Sequence, residues 1–186
     1  MTAADAEQLL RNRGALLRGH FVLSSGRHSD TYVEKFRILQ WPDVTSALCR
    51  GIAERFAGAA DTVAGPTTGG IIVAFETARQ LGARCVIAER AESGSGREFR
   101  RGFELGPGHR VLVVDDVLTT GGSVREVMEA VERTGAAVVG VAVLVDRTAG
   151  RTNFEYPFYA VLSLDIRSWE PSECPLCREG VPATVT

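Results

Sequence analysis

The segment Val111–Ser123, with the sequence VLVVDDVLTTGGS, sets the fold class that this chain predicts. Its first four residues are aliphatic, which indicates a strand of a parallel sheet that is buried on both faces. Asp115 and Asp116 come next, and a loop rich in threonine and glycine follows them. The pattern therefore places two carboxylates at the carboxyl end of a strand, where open α/β sheets bind their ligands.

A helix with a clear start follows this loop. Ser123 and Glu126 have the spacing of a capping box, and Gly135 stands where a left-handed residue ends a helix. Backbone N–H groups at such a start favour phosphate, while neighbouring acids hold hydroxyls or a hydrated cation. The junction therefore predicts a site for a phosphorylated sugar. Apolar residues fall on one stripe of the helix: Val124, Val127, Met128 and Val131.

Other nucleotide-binding patterns fit this sequence less well. A hydrophobic strand that ends in Asp also occurs in P-loop NTPases, but the chain has no GxxxxGK[ST] loop, and Lys35 is its only lysine. A GxGxxG dinucleotide fingerprint is missing as well. The alternative that stays open is an ordinary strand–turn–helix whose acids only cap the loop.

Residues 111–123 resemble the phosphoribosyl pyrophosphate (PRPP) signature of type I phosphoribosyltransferases. The resemblance implies an α/β fold in one domain (1–186), with a parallel-sheet core at about 41–150. A small hood would comprise about 19–40 and a C-terminal segment at about 158–170. Asp115 and Asp116 would receive the ribose hydroxyls, and Mg²⁺ would arrive with PRPP near these acids, with no direct protein ligand assigned.

A second, shorter segment has the same order of strand, glycine-rich loop and helix. Residues 62–64 predict a strand, 65–70 a glycine-rich loop and 71–81 a helix that ends at Gly82. In the resemblance, this loop cradles pyrophosphate opposite the phosphate loop. The PRPP-binding residues implied are Arg90, Thr67, Thr68, Gly69, Asp115, Asp116, Val117, Leu118, Thr119, Thr120, Gly121, Gly122 and Ser123.

The segment Gly19–Leu39 predicts two short strands around a turn at Gly26. It resembles the hood of orotate phosphoribosyltransferases, whose F-x-L-x-S-G-x-x-S pattern it carries from Phe21 to Ser29. The resemblance implies that Ser25 and Ser29 contact orotate. Where that family often has a lysine, this chain has Ser24. A plain surface hairpin is the alternative for this segment alone.

Residues 91–102, AESGSGREFRRG, lack apolar periodicity and contain three arginines. Such a run is often an ordinary surface loop. Its place before the PRPP strand matches the mobile catalytic loop of orotate phosphoribosyltransferases, which reaches into the neighbouring subunit. The resemblance implies a homodimer, and it implies that Arg97 and Arg100, with Asp115 and Asp116, are the catalytic residues. Arg101 is a further candidate for contact with pyrophosphate.

A long aliphatic strand, residues 138–145, completes a β-α-β unit and ends at Asp146 and Arg147. Arg147 should face the crevice that Asp115 and Asp116 face, where a guanidinium suits a carboxylate. The resemblance assigns Thr119 and Arg147 to orotate, while a surface salt bridge between Arg147 and Asp146 is the alternative.

The tail of the chain carries less information. Residues 158–166 predict a last strand that returns to the hood. Cys174 and Cys177 form one CxxC, which is half a zinc site. We expect buried or reduced structural thiols there, and a metal held by four thiolates pooled from two subunits is the alternative. No ligand spacing connects the three histidines, His20, His28 and His109, with any partner.

Composition excludes several classes of protein. A net charge of −2 gives no reason to expect a nucleic-acid partner, and no apolar run is long enough to span a membrane. The four cysteines do not resemble a secreted disulfide framework, so we expect a cytoplasmic protein.

The sequence therefore predicts an enzyme that transfers the phosphoribosyl group of PRPP to orotate in pyrimidine biosynthesis. A phosphoribosyltransferase for purines or another base is one alternative. A non-catalytic regulator that senses nucleotides on the same fold is the other.

Overall fold

A six-stranded sheet forms the centre of the computed structural model, which describes residues 1–23 and 25–186. In chain order the elements are α1 (Ala3–Asn12), β1 (Leu16–Val22), β2 (His28–Val33), α2 (Phe36–Leu39), α3 (Pro42–Arg55), β3 (Thr62–Pro66), α4 (Gly69–Leu81), β4 (Arg84–Arg90), β5 (Arg97–Phe99), β6 (Arg110–Leu118), α5 (Gly122–Arg133), β7 (Ala137–Asp146), β8 (Phe158–Ser163), α6 (Pro175–Arg178) and β9 (Thr184–Val185).

The central sheet has the strand order β5-β4-β3-β6-β7-β8 and is parallel except for β5. The predicted α/β fold with a mainly parallel sheet is confirmed. Strand order reverses between β3 and β6, because the chain continues from β3 to β4 on one side and from β6 to β7 on the other. Such a switch point leaves a crevice at the carboxyl ends of the two strands.

Strand β6 is buried on both faces, as its aliphatic run predicts. Val111 and Val113 pack in the cluster that includes α5, whereas Leu112 and Val114 pack in the cluster that includes α1, α3 and α4. The alternation follows from the two-residue period of a strand. Helices therefore cover both faces and fix the carboxyl end of β6 in the crevice.

A smaller sheet, with the order β2-β1-β9, forms the hood. Strands β1 and β2 are an antiparallel hairpin, as expected, with Gly26 at φ +79° in the turn. The expected placement of residues 158–166 in the hood is wrong, because β8 pairs with β7 in the central sheet. The C-terminal end instead reaches the hood through β9, which pairs with β1, and through Trp169, which bridges to His28.

Two further expectations need correction. Residues 91–102 are not wholly irregular, because β5 pairs antiparallel with β4 and makes Arg97 part of the sheet edge. Helix α5 begins at Gly122 with Gly121 as its N-cap residue, so Ser123 lies inside the first turn and forms no capping box. Gly135 does take the left-handed conformation after the helix, with φ +80°. None of the helices in the described part of the chain is long and apolar enough to cross a membrane.

Candidate active site

A cavity of about 630 Å³ opens at the carboxyl ends of β3 and β6, under the hood. This size lies within the range of small-molecule sites. The floor is formed by Asp115, Asp116 and Val117, and the loops after β3 and β6 form two walls. Further lining residues come from the hood and from the segments after β7 and β9: Leu23, Ser25, Arg27, Lys35, Arg147, Thr148, Arg151 and Thr186.

The two acids of the floor are held in place by backbone N–H groups. Asp115 Oδ1 accepts the N–H of Asp116 at 2.8 Å, and Asp116 Oδ1 accepts the N–H of Val117 at 2.6 Å. Lys35 Nζ donates to Asp116 Oδ1 at 3.1 Å and lies 2.9 Å from its Oδ2 as an ion pair. Burial, and then the charge of Asp116, raise the pKa of Asp115 to about 7. The carboxyl of Asp115 therefore keeps its proton at a higher pH than an ordinary aspartate does.

Glycines let the loop after β3 lie against these acids. A Cβ on Gly69 would come within 1.8 Å of Asp116 Oδ2, and one on Gly70 within 3.0 Å of Asp115 Oδ1. A Cβ on Gly65 would lie 2.4 Å from the carbonyl oxygen of Gly70. Only residues without a side chain fit at these positions. The predicted pyrophosphate loop is thereby packed directly on the predicted ribose site, with Thr67 and Thr68 lining the cavity.

The loop after β6 presents the start of α5 to the same cavity. Gly121 has φ +83°, a conformation that glycine adopts without strain, and its carbonyl accepts the N–H of Arg125 at 2.9 Å. Thr119, Thr120 and Ser123 line the cavity around the helix start. Because no side chain caps α5 among the described residues, its first N–H groups remain available for an anion.

Arg97 connects the two loops. One guanidinium nitrogen donates to Thr67 Oγ1 at 3.2 Å and to the Ala88 carbonyl at 3.0 Å, and the other donates to Ser123 Oγ at 3.1 Å. Its Nε lies 3.2 Å from Glu126, and burial lowers its pKa. Both residues of the expected capping box thus contact Arg97 instead of each other, because a buried guanidinium needs acceptors. Arg97 is placed to position the loops of its own chain.

Arg147 lies partly buried at the end of β7. Its backbone N–H donates to the Leu118 carbonyl at 3.0 Å, and its side chain lines the cavity. Its Nε is buried and has no hydrogen-bond partner among residues 1–23 and 25–186. Asp146 does not pair with it, since its two carboxylate oxygens accept the N–H groups of Thr148 and Gly150 at 2.7 and 2.9 Å. A buried donor that faces a cavity is suited to an anionic ligand.

Other predicted site residues lie elsewhere. Ser29 is fully buried and donates to the carbonyls of Thr31 and Arg167, so it fixes the hood instead of facing the cavity. Arg100 pairs with Glu98 and Glu92 on the surface, outside the cavity lining. Ser25 and Thr119 do line the cavity, whereas Ser24 lies outside the described residues. Six further predicted residues do not line it: Arg90, which is exposed; Arg101, which pairs with Glu89; Leu118, which is buried; and the loop glycines Gly69, Gly121 and Gly122.

Sequence reasoning missed three cations of the site. Lys35 contacts Asp116, which lies 81 residues away, and its status as the only lysine was the one available signal. Arg27 lines the cavity and donates to Ser168 at 2.9 Å, and Arg151 lines the cavity and pairs with Asp165. Nothing in their local sequence distinguishes these arginines from the many others.

Comparison with known proteins agrees with this geometry. The phosphoribosyl transferase domain matches residues 37–176. The orotate phosphoribosyltransferase of Pelotomaculum thermopropionicum is 50% identical over 184 residues, which cover 98% of this chain and 96% of that protein. That of Caldanaerobacter subterraneus subsp. tengcongensis is 50% identical over 166 residues, 89% of this chain and 86% of that one.

Solved structures give the same result. The crystal structure of orotate phosphoribosyltransferase from Aeropyrum pernix superposes with a TM-score of 0.71 at 32% identity, covering 84% of this chain and 92% of that chain. The Mycobacterium tuberculosis H37Rv enzyme in complex with inorganic phosphate gives 0.69 at 30% identity, with 87% and 95% covered. The sequence, the fold and the cavity thus agree, and the chain belongs to the phosphoribosyltransferase family and, within it, to the orotate phosphoribosyltransferases.

Proposed function

We propose that this protein transfers the 5-phosphoribosyl group of PRPP to orotate, giving orotidine 5′-monophosphate and pyrophosphate in pyrimidine biosynthesis. One observation carries the proposal: two buried carboxylates lie between two glycine-containing loops at a strand switch point, and the buried Nε of Arg147, at the same cavity, has no partner among the described residues. A sugar that carries phosphates at both ends needs such an arrangement. Two proteins named orotate phosphoribosyltransferase are 50% identical to this chain, which supports the proposal.

PRPP would lie across the floor of the cavity. Its 5′-phosphate would accept the N–H groups at the start of α5, with hydroxyls of Thr119, Thr120 and Ser123 around it. Its ribose hydroxyls would donate to Asp115 and Asp116. The loop of Thr67 and Thr68 would hold the pyrophosphate. Ionised carboxylates are the better acceptors, so binding of the sugar favours loss of the Asp115 proton.

Orotate would lie between the hood and Arg147. The Nε of Arg147 is buried and lacks a partner in the described part of the chain, and this burial lowers the pKa of the guanidinium. A carboxylate or an imide edge would provide the missing acceptor with bidentate geometry. Thr119, on the opposite wall, would supply a second polar contact to the base.

The reaction breaks the bond between the anomeric carbon and the pyrophosphate oxygen, which leaves with the electron pair. The orotate ring nitrogen, on losing its proton, forms the new carbon–nitrogen bond. Positive charge develops on the sugar ring in such a transition state, as in glycoside cleavage. Asp115 and Asp116 would stabilise this charge, and the protein would need no nucleophile of its own because it positions both reactants.

Mg²⁺ would accompany PRPP in this proposal. The donor atoms on the floor fit it, since the carboxylates of Asp115 and Asp116 are hard oxygen ligands beside a cavity large enough for water. Each carboxylate already has one oxygen fixed by a backbone N–H. When bound, the ion would offset the charge of the pyrophosphate.

We also propose a cytoplasmic homodimer in which Arg100 and Arg101 serve the partner's cavity. Both arginines lie outside their own cavity lining, and their exposed ion pairs with Glu98 and Glu89 are weak enough to exchange. On α4, the exposed side chains of Phe75 and Ile72 offer an apolar contact surface. None of the four cysteines forms a disulfide with another described residue, which favours a reducing compartment.

Mixing subunits tests the shared loop. An Arg100→Ala/Arg101→Ala subunit and an Asp115→Asn/Asp116→Asn subunit should each be nearly inactive alone. Random pairing makes about half of the dimers mixed, each with one intact site, so about a quarter of wild-type activity should return. No recovery, in a mixture shown by native mass spectrometry to exchange subunits, would remove the sharing from the proposal.

One assay tests the reaction itself. The protein is incubated with PRPP, Mg²⁺ and either orotate, uracil, adenine, guanine or xanthine, and pyrophosphate release is measured. We expect turnover with orotate, and we expect Arg147→Gln to raise the KM for orotate far more than the KM for PRPP. Preference for a purine, or equal effects on both KM values, would contradict the assigned base or the role of Arg147.

A further inference from the structure

Two histidines of the hood and two cysteines of the tail meet at one point, away from the cavity lining. His20 Nε2 lies 2.8 Å from His28 Nδ1, 3.5 Å from Cys174 Sγ and 3.7 Å from Cys177 Sγ. Cys177 Sγ lies 3.2 Å from His28 Nδ1. All four atoms are within 4.8 Å of one another. The expectation that these two histidines have no partner was therefore wrong. The sequence did not reveal the cluster because 146 or more residues separate each histidine from the CxxC.

We propose that these four residues bind one structural Zn²⁺. Tetrahedral zinc with bonds of about 2.0–2.1 Å to nitrogen and 2.3 Å to sulfur holds its ligand atoms roughly 3.3–3.8 Å apart. Four of the six separations, 2.8–3.7 Å, lie within about half an ångström of these values, and all six are no more than 4.8 Å, so small side-chain shifts would close the shell around an ion. Two thiolates and two imidazoles select zinc over the hard cations that carboxylates prefer.

A hydrogen bond outside the cluster orients its most buried imidazole. His20 Nδ1 lies 2.7 Å from the Val181 carbonyl, which can only accept, so Nδ1 carries the proton. Nε2 is then the unprotonated nitrogen, and it is the atom that faces Cys174, Cys177 and His28. A ligand histidine that donates its other N–H to a carbonyl is the usual arrangement around a bound metal.

The tail needs such an attachment. Of residues 167–186, all of which the structure describes, only Cys174 is buried, and Val185 is 81% exposed. Apolar burial therefore contributes little to holding α6 and β9 against the hood. Small elements without a core of their own are commonly fixed by a metal or a disulfide. Zinc at this point would join α6 to both hood strands.

The attachment extends to the rim of the cavity. Thr186 lines the cavity and donates its N–H to the Val22 carbonyl at 3.1 Å, at the end of β9. On the other side of the cluster, His28 bridges to Trp169, next to the Ser168 that Arg27 contacts. Zinc would therefore fix the positions of hood residues above the cavity without touching the reacting atoms.

Metal analysis of the purified full-length chain, produced without a histidine tag, tests the proposal. Elemental mass spectrometry should find about one zinc per chain in the wild type and less than about a tenth of this in Cys177→Ser and His28→Asn. Cys177 is exposed, so its loss should leave the fold intact. Cys85→Ser and His109→Asn are the matched controls, because each makes the same change outside the cluster, and both should retain zinc.

Hydrogen exchange gives a second readout that does not depend on turnover. Removal of zinc by a chelator should increase exchange in residues 170–186 and in β1, to the same extent as Cys177→Ser, and should not alter exchange in β6 and β7. Three results would each overturn the site. The wild type could remain free of zinc after dialysis against Zn²⁺, Cys177→Ser could retain its zinc, or the mass could be lower by two hydrogens because of a Cys174–Cys177 disulfide. None of these outcomes depends on whether orotate is the substrate.

Discussion

Replacing Asp115 by asparagine should change how the stability of the apoprotein depends on pH. The carboxyl of Asp115 is 7% exposed, lies beside Asp116, and has a pKa raised to about 7. Asparagine keeps the Oδ1 acceptor for the N–H of Asp116 but cannot ionise. The substitution therefore removes the titration while leaving the hydrogen bond that fixes the side chain.

The sign follows from proton binding in the two states. In the unfolded chain an ordinary aspartate loses its proton near pH 3.8, whereas the folded protein keeps the Asp115 proton up to about pH 7. Between these values the folded state binds more protons, so the free energy of unfolding falls as pH rises. Each pH unit in this window contributes about 1.4 kcal/mol, or roughly 4 kcal/mol in total, from this one carboxyl.

Urea unfolding at fixed protein concentration, at half-unit steps from pH 4.5 to 8, measures the effect. The free energy of unfolding of Asp115→Asn minus that of the wild type should rise across the window by a few kcal/mol and level off above about pH 7. Asp61→Asn is a control. Hydrogen bonds from Arg110 and Thr62 outweigh burial and lower the pKa of Asp61, so this substitution should change the pH dependence of the free energy of unfolding only below about pH 4. A difference between Asp115→Asn and wild type that does not vary with pH would refute the account of the acid pair.

Two other substitutions test the geometry of the loops. Gly69→Ala puts a methyl group 1.8 Å from Asp116 Oδ2. The free energy of unfolding should therefore fall by about 1–3 kcal/mol, and kcat/KM for PRPP should fall roughly 5- to 100-fold. Gly106→Ala is the control, because its Cβ would meet nothing closer than 3.9 Å, and it should keep the wild-type kcat/KM for PRPP. Equal kcat/KM values for the two variants would count against the close packing of Gly69 on Asp116. Arg97→Lys keeps the charge but cannot reach both Thr67 and Ser123, so the KM for PRPP should rise and urea stability should fall by about 1–3 kcal/mol. An unchanged KM would show that the bridge between the loops has no part in binding.

Local patterns predicted the parts of the molecule that short-range physics specifies. The aliphatic run before Asp115 predicted a buried strand, and Gly135 ends α5 because the backbone turns left-handed there. The positions of both glycine-containing loops follow from these strand ends. The capping box failed because Ser123 and Glu126 have a stronger partner in Arg97, which lies 26 residues away from Ser123 in the chain.

Long-range pairings were beyond the reach of the sequence patterns. Arg97 stands in a polar run that carries the composition of a loop, yet edge pairing of β5 with β4 turns its side chain into the protein. Lys35 finds Asp116 across 81 residues, and His20 finds Cys174 across 154. In each case the tertiary structure, and not the local sequence pattern, sets which side chains meet.

The raised pKa of Asp115 also predicts how the binding of PRPP and the stability of the protein depend together on pH. In the apoprotein Lys35 is the cation in contact with Asp116, and Asp115 keeps its proton up to about pH 7. Ribose hydroxyls and Mg²⁺ would both favour the ionised form, so PRPP with Mg²⁺ should bind with release of a proton below pH 7. Their stabilising effect on the wild type should therefore grow from pH 6 to pH 8. If the proposed function is right, this proton release is the signature expected when hydroxyls and a cation replace the proton of Asp115.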